Sequence, residues 1–355
     1  MSTDIIRPEI QALNSYHVQP ASGLIKLDAM ENPFAFPEPL RAGLLHALAA
    51  ASLNRYPSAG GDELKAAIRN AMNIPAELDI LLGNGSDEII QLIAMAVAKP
   101  GASLLSVEPA FVMFKMIATF CGLKYIGVPL RADFTLDASA VIAAIERERP
   151  AVTFNAYPNN PTGNLFDRAA IREIIAAAAG VDGLVVIDEA YFAFSRESFL
   201  DEIATYPNAV LMRTVSKLGL AGIRLGMLIG NKEWLAQFDK LRLPYNINVL
   251  TQAAAIFAMK HYDALLRQTD ILKSERTRVA AQLDKIAGVQ RFPSEANFIL
   301  IRVADAAQTF ERLLSRKILI KNMSASHPLM SGTLRLTIGT PAENDALIAA
   351  LQDSI

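Results

Sequence analysis

The stretch Leu184-Val185-Val186-Ile187-Asp188-Glu189-Ala190-Tyr191 runs four apolar residues, without alternation, into a pair of acids. A strand with one wet face alternates apolar and polar side chains; an unbroken apolar run is what a strand covered on both faces requires. Working outward, similar strand-like runs occur at Asp79–Leu82, Ser103–Val107, Leu123–Val128, Ala151–Asn155 and Val210–Met212. Helical patterns separate them, from Ser86 onward, at Phe111–Phe120, at Ala138–Arg149 and near Arg168–Ala179. Ser86 reads as the N-cap of the first of these, with Asp87 and Glu88 in its opening turn. Strands alternating with helices predict an α/β domain with a mostly parallel sheet between helical layers.

Beyond residue 245 the pattern changes. Residues 250–287 are helical in character, followed by strand-like Phe298–Ile301, a helix near Ala306–Ser315, strand-like Leu334–Ile338 and a last helix from Glu343. That reads as a second, smaller α+β unit. With roughly 150 residues per domain, 355 residues allow about two. The expected division is an arm over residues 1–30 packing with the small domain, a large domain over 31–248 and a small domain over 249–355.

Charge and composition exclude several classes. Thirty-four basic against 36 acidic residues leave no global field for nucleic acid. A single cysteine, Cys121, permits neither an internal disulfide framework nor a thiolate metal cage, and no metal site is expected. Mean hydropathy is +0.26, yet no apolar run reaches the roughly 18 residues of a membrane span. The first residues lack a basic segment followed by an apolar one, so no signal peptide is expected and a soluble, cytoplasmic protein is.

Four segments carry chemistry. Gly83-Asn84-Gly85-Ser86-Asp87 joins a strand to a helix, where backbone N–H groups can cradle phosphate, although an ordinary capped turn would read the same. A dinucleotide fingerprint would want a glycine three residues after Gly85, and Glu88 stands there, which disfavours a nicotinamide dehydrogenase. Tyr157-Pro158-Asn159-Asn160-Pro161-Thr162-Gly163 is a rigid loop after a strand, holding two amides at the sheet edge where open α/β sheets bind ligands.

Asp188 ends its strand in a partly desolvated position that demands a cation or good donors; a helix N-cap is the plainer alternative. Glu189, out of phase with it, reads as the solvated member of the pair. In Thr214-Val215-Ser216-Lys217-Leu218-Gly219-Leu220-Ala221-Gly222-Ile223-Arg224, Lys217 has little room to reach solvent. A buried lysine has a lowered pKa and offers a neutral amine for Schiff-base chemistry, while Arg224 could hold a phosphate through both arms of its guanidinium. Either residue alone would read as an ordinary surface cation. Together, a strand-end acid, a polar loop, an anion turn and a buried Lys–Arg pair meet the needs of pyridoxal 5′-phosphate: an amine, an acid for the ring nitrogen, donors for the ring oxygen and a phosphate cradle.

This constellation resembles the fold-type I pyridoxal-phosphate-dependent aminotransferases, and in detail the histidinol-phosphate aminotransferase family. The likeness spans Leu27-Asp28-Ala29-Met30-Glu31-Asn32-Pro33, Asn54-Arg55-Tyr56-Pro57, the four segments above and Leu334-Arg335-Leu336-Thr337-Ile338-Gly339. It implies that Lys217 is the covalent and catalytic lysine, that Asp188 pairs with the pyridine nitrogen, and that Asn160 and Tyr191 hydrogen-bond the phenolic oxygen. Gly85, Ser86, Asp87, Thr214, Ser216 and Arg224 would surround the phosphate, Phe111 would stack on the ring, and Tyr56 would reach the phosphate of the neighbouring subunit in a two-fold homodimer. Arg335 would grip the anionic end of the substrate, with Tyr16 from the arm, Asn160 and Tyr56 beside it. The implied substrates are histidinol phosphate, glutamate and 2-oxoglutarate, in histidine biosynthesis.

The chain departs from the family pattern in three places. The Lys217–Arg224 interval is one residue shorter than usual, Phe111 stands where a tyrosine is common, and Lys321-Asn322 replaces an arginine-led pair. Sister activities on the same scaffold are a broad aromatic aminotransferase and a threonine-phosphate decarboxylase; a non-catalytic cofactor-binding regulator would want a helix-turn-helix extension. His17, His46, His261 and His327 sit in no motif and read as plain surface or core residues.

Overall fold

The run through Leu184 becomes a central strand of a seven-stranded sheet in the computed structural model, which describes residues 5–15 and 19–355. In chain order the strands are β1 (Ile25–Lys26), β2 (Asp79–Gly83), β3 (Ser103–Glu108), β4 (Lys124–Pro129), β5 (Val152–Ala156), β6 (Leu184–Asp188), β7 (Ala209–Thr214) and β8 (Gly226–Gly230). The remaining strands are β9 (Gln290–Arg291), β10 (Phe298–Arg302), β11 (Ile318–Leu319), β12 (Lys321–Asn322) and β13 (Thr333–Thr337). The large sheet has the order β2-β8-β7-β6-β5-β3-β4. Strands β7, β6, β5, β3 and β4 are mutually parallel, whereas β8 runs antiparallel to both β2 and β7.

The sheet is buried on both faces, as its unbroken apolar strands require. Val185, Ile187 and Leu211 face one helical layer with Ile171 and Ile174. Leu184, Val186, Val210 and Met212 face the other, with Ile89, Ile93 and Phe114. Because side chains alternate along β6, Asp188 falls on the second face and Glu189 on the first.

The observed boundaries correct several expectations. Ser86 is not the N-cap: the helix Ser86–Val97 begins with it, and Gly85 occupies the cap position without a side-chain bond. The helical stretch after residue 245 is two helices, Val249–Lys260 and Tyr262–Leu283, broken at His261. The last helix starts at Pro341, two residues earlier than Glu343, because Thr340 and Glu343 form a reciprocal capping box. Strand β8 went unpredicted; a glycine at each end lowers its strand propensity.

The second sheet has the order β12-β13-β10-β9 and packs with the helices Tyr262–Leu283, Ala306–Ser315 and Pro341–Gln352 around Phe298, Leu336, Leu313 and Leu351. β1 pairs in parallel with β11, and Leu27 just after it bridges to β13, its carbonyl accepting the Thr337 N–H. The backbone of Met30 is held at both ends, its N–H by Thr337 Oγ1 and its carbonyl by Asn297 Nδ2.

Candidate active site

Asp188 ends β6 and is 5% exposed. Its Oδ1 accepts the Ala190 N–H at 3.0 Å, and among the described residues no basic side chain lies within ion-pair distance. Burial, with lesser contributions from the charges of Asp87 and Glu189, pushes its carboxyl up to about 7. The N-cap alternative does not hold, since turns rather than a helix follow. A buried acid this poorly compensated is a site that a cationic ring N–H would complete.

Glu189 is not solvated, as the sequence suggested, but fully buried on the opposite face. Its carboxylate accepts from Arg213 Nη2 at 2.8 Å and Nε at 3.0 Å, from the Phe199 N–H at 2.6 Å and from Ser198 Oγ at 2.9 Å. It braces the strand end and does not face the cavity.

Strand β7 delivers Lys217. After Thr214 the chain enters a short 3-10 turn, Ser216–Leu218, with Val215 and Leu218 buried as its anchors and Gly219 left-handed at φ 103°. Lys217 Nζ donates to the Ala29 carbonyl at 3.3 Å and lies 6.0 Å from the centre of the Tyr191 ring. Burial, and next the positive charge of Arg335, lower its amine to about 8. Tyr191, 4% exposed, is fixed edge-on against Phe298.

The turn from Gly85 to Asp87 lies alongside. Gly85 has φ 80°, a conformation L side chains rarely adopt, and a Cβ there would also strike the Arg224 guanidinium. Gly226 on β8 permits the approach from below: a Cβ there would meet the Ser86 backbone nitrogen at 2.6 Å. Thr214 Oγ1 lies 2.9 Å from Ser216 Oγ, accepts the Ser216 N–H at 3.2 Å and donates to the Leu225 carbonyl at 3.0 Å. The expected buried Lys–Arg pair is corrected in one member. Arg224 is half exposed, 3.5 Å from Asp87 Oδ2, because a left-handed turn at φ 51° carries it to the rim. The shortened interval thus still brings Arg224 against Gly85. Gly226 itself escaped the sequence reading; its signal was a glycine at the strand position following Arg224-Leu225.

The two amides of the polar loop divide their work. Asn159 is internal, donating to the Pro109 carbonyl at 3.1 Å and to Thr162 Oγ1 at 2.7 Å. Asn160 faces the cavity and accepts from Arg335 Nη1 at 2.7 Å. Arg335, on β13, also donates from Nη2 to the Asp28 carbonyl at 3.0 Å and lies over Phe298. Phe111, just before the helix Val112–Phe120, stands edge-on to Phe114 at 5.7 Å.

Ser86, Asp87, Phe111, Asn160, Asp188, Tyr191, Thr214, Ser216, Lys217 and Arg224 line one cavity of ≈ 210 Å³. Ala29, Met30 and Glu31 line it too, and the sequence reading gave them no role. Arg335 lines an adjoining cavity of ≈ 330 Å³, which also contains Lys321 and His327, the latter first read as a plain residue. Tyr56 is not brought to the cavity of its own chain: it is 81% exposed and stacked on Tyr245 at 4.5 Å. Tyr16 lies outside the described residues.

The family model for aminotransferases of class I and II matches residues 22–351. Histidinol-phosphate aminotransferase 2 of Cupriavidus pinatubonensis is 52% identical, covering 98% of this chain and 97% of that protein. Histidinol-phosphate aminotransferase of Chromobacterium violaceum is 53% identical over 98% of this chain and 97% of its own length. Among solved structures, histidinol-phosphate aminotransferase from Sinorhizobium meliloti in complex with pyridoxal-5′-phosphate superposes with a TM-score of 0.88 at 25% identity, covering 99% of this chain and 98% of that one. With the family model spanning most of its length and relatives above half identity, the chain belongs to the class I and II aminotransferases.

Proposed function

We propose that this enzyme is a pyridoxal-phosphate-dependent histidinol-phosphate aminotransferase of histidine biosynthesis, exchanging the amino group between histidinol phosphate and 2-oxoglutarate. The observation that carries it is the convergence of Lys217, Asp188, Asn160 and Tyr191 on one cavity, with Arg335 hydrogen-bonded to Asn160 at its edge. The residues fit the cofactor: the Gly85–Asp87 turn, Thr214, Ser216 and Arg224 for its phosphate, Asp188 for its ring nitrogen, Asn160 and Tyr191 for its ring oxygen, and Phe111 for its face. When bound, pyridoxal phosphate supplies an aldehyde that takes up the amino group and a protonated ring that withdraws electrons.

The chain's own groups do the rest. Lys217 Nζ, its amine lowered to about 8 by burial and then by the charge of Arg335, would take the proton from the substrate Cα and deliver it to the cofactor carbon that takes up the amino group. Asp188 stays ionised once it faces a ring N–H⁺, because the new cation offsets its desolvation. Arg335 holds the substrate phosphate in one half-reaction and a dicarboxylate in the other, since a planar guanidinium suits both oxyanions. The large (31–248) and small (249–355) domains close over the site; the arm expected on the small domain is divided in its described part, β1 pairing with β11 while Arg7 donates to the Phe120 carbonyl of the large domain. The exposed Tyr56 completes the phosphate site of a partner copy in a homodimer, and the enzyme works in the cytoplasm.

A half-reaction panel tests the reading: histidinol phosphate, phenylalanine, tyrosine and phosphothreonine, each followed by the change in cofactor absorbance. Turnover of histidinol phosphate well above the others is expected. Fast phenylalanine turnover without histidinol phosphate, or release of carbon dioxide from phosphothreonine, would overturn the substrate assignment.

A further inference from the structure

Beside the cofactor cavity lies the second one, of ≈ 330 Å³, sharing Met30, Phe111 and Asn160 with it. Its walls are mostly apolar, including Pro109, Val112 and Met323, but they hold one carboxylate, Glu108. Glu108 is the last residue of β3, and its neighbours fix it in place. It lies across Gly127 of β4, where a Cβ would collide with its carboxyl carbon. Tyr125 of β4 lines the same cavity, and burial, then the Glu108 charge, holds its hydroxyl protonated. His327 approaches Oε2 to 3.8 Å and Lys115 approaches Oε1 to 4.0 Å, both beyond hydrogen-bond length. The ring of His327 is oriented by Nδ1, which accepts the Leu329 N–H at 3.2 Å and so leaves Nε2 directed at Glu108.

A carboxylate has about four acceptor sites. With Lys115 and His327 both beyond hydrogen-bond length, Glu108 keeps acceptor capacity in a largely apolar slot next to the reacting centre. We infer that Glu108, seated over Gly127, receives the ring N–H of the imidazole-bearing amino donor and sets the preference for that donor. The inference rests on the substrate reading above and deepens it. A donor with a phosphate and an azole needs both a cation and an acceptor, and this cavity contains Arg335 together with Glu108. A phenyl donor would desolvate Glu108 without offering it an N–H, and sites built around such a hydrogen bond reject analogues that lack it. The second carboxylate of glutamate is repelled by Glu108 and left to Arg335.

The test compares wild-type holoenzyme with Glu108→Ala, Glu108→Gln and Gly127→Ala, each checked for full cofactor content and native circular dichroism. The readout is the ratio of kcat/KM for histidinol phosphate to that for glutamate, from the two half-reactions. Loss of a charge-assisted hydrogen bond predicts a fall of about 10- to 100-fold in that ratio for Glu108→Ala. Glu108→Gln, which keeps an acceptor oxygen, should recover part of it. Gly127→Ala, which displaces the carboxylate without removing it, should reproduce the loss. Ring-N-methylated histidinol phosphates supply the complementary cut: one isomer should lose affinity in the wild type and lose nothing further in Glu108→Ala. An unchanged ratio, or an equal loss for both donors, overturns the role of Glu108 while leaving the substrate reading intact. Failure of the wild type to turn over histidinol phosphate overturns both.

Discussion

Arg335 Nη1 donates to Asn160 Oδ1 at 2.7 Å, tying the small antiparallel sheet to the polar loop at the edge of the large one. The same guanidinium reaches the Asp28 carbonyl, so three segments distant in sequence meet at one cation. A ligand anion arriving there exchanges or adds to hydrogen bonds that are already aimed. Pre-orientation of this kind lowers the ordering cost of binding.

Substituting Arg335→Ala should therefore raise KM for histidinol phosphate and for 2-oxoglutarate together, by about 10- to 100-fold for the loss of charge-assisted hydrogen bonds. Arg335→Lys should recover little, because a point charge cannot bridge Asn160, Asp28 and the substrate with fixed geometry. Steady-state kinetics with each substrate varied in turn decides this. A rise in KM for only one of them would show that the two anions use different sites.

The lowered amine of Lys217 makes a prediction about pH. The neutral amine is the form that attacks the aldehyde of pyridoxal phosphate, so capture by apoprotein should accelerate with pH up to about 8 and level off above it. Borohydride trapping at timed intervals, with mass mapping to Lys217, measures the rate and the site. Because the Arg335 charge is the second cause of the lowering, Arg335→Ala should move the midpoint to higher pH. The sign for stability follows from the same shift. Unfolded lysine titrates near 10.5, so between about 8 and 10.5 the folded apoprotein binds fewer protons, and this residue's contribution to stability rises with pH across that window.

Glu189 and Arg213 make a structural prediction. The pair is buried, Arg213 is 4% exposed, and each carboxylate oxygen is used. Removing one partner strands the other charge, so Glu189→Ala should destabilise by about 3–5 kcal/mol. Replacing both residues with apolar ones of similar size should cost less than either single change, since no uncompensated charge is left behind. Urea denaturation of the two single variants and the double variant distinguishes this from a simple sum. Although the pair faces away from the cavity, loss of the Glu189 charge removes one lesser cause that holds the Asp188 carboxyl up, so a folded variant lacking it should titrate Asp188 lower in the apoprotein.

What could be read from the chain, and what could not, divides along contact range. Asp188, Lys217 and Asn160 announce themselves because each is a polar group fixed by its immediate neighbours: a strand end, a glycine-rich turn, a proline-flanked loop. Glu189 does not, because its burial depends on β7 lying beside β6 in a register that sets Asp188 against Met212, which brings Arg213 next to Glu189. An arginine following Val210-Leu211-Met212 was the available signal, and it becomes legible only once the strand order is known. Glu108 is hidden in the same way, needing β4 to supply Tyr125 and Gly127. Met30, at φ 53°, has a conformation no local pattern foretells; hydrogen bonds to Thr337 and Asn297 hold it there. Strand β8 is not legible locally because its end glycines serve close packing, Gly226 under the Gly85 turn and Gly230 against Val210, rather than strand propensity.

Tyr56 carries the last prediction. An aromatic ring that is 81% exposed, stacked on Tyr245 and near exposed Leu53 and Leu243 in sequence, is poorly placed for an isolated protomer. If it completes the phosphate site of a partner copy, each site draws Lys217 from one chain and Tyr56 from the other. Two inactive homodimers, Lys217→Ala and Tyr56→Ala, then carry complementary defects. Mixed and re-equilibrated in equal amounts, half the dimers are hybrids, and each hybrid has one site with both residues intact and one with neither. The mixture should regain about a quarter of wild-type activity if protomers assort at random in a two-fold dimer. If both residues instead served the same chain's site, no hybrid would contain an intact one, and mixing would restore nothing. Different affinity tags on the two variants, captured in sequence, show whether hybrids have formed, so absent rescue with confirmed hybrids would refute the shared site.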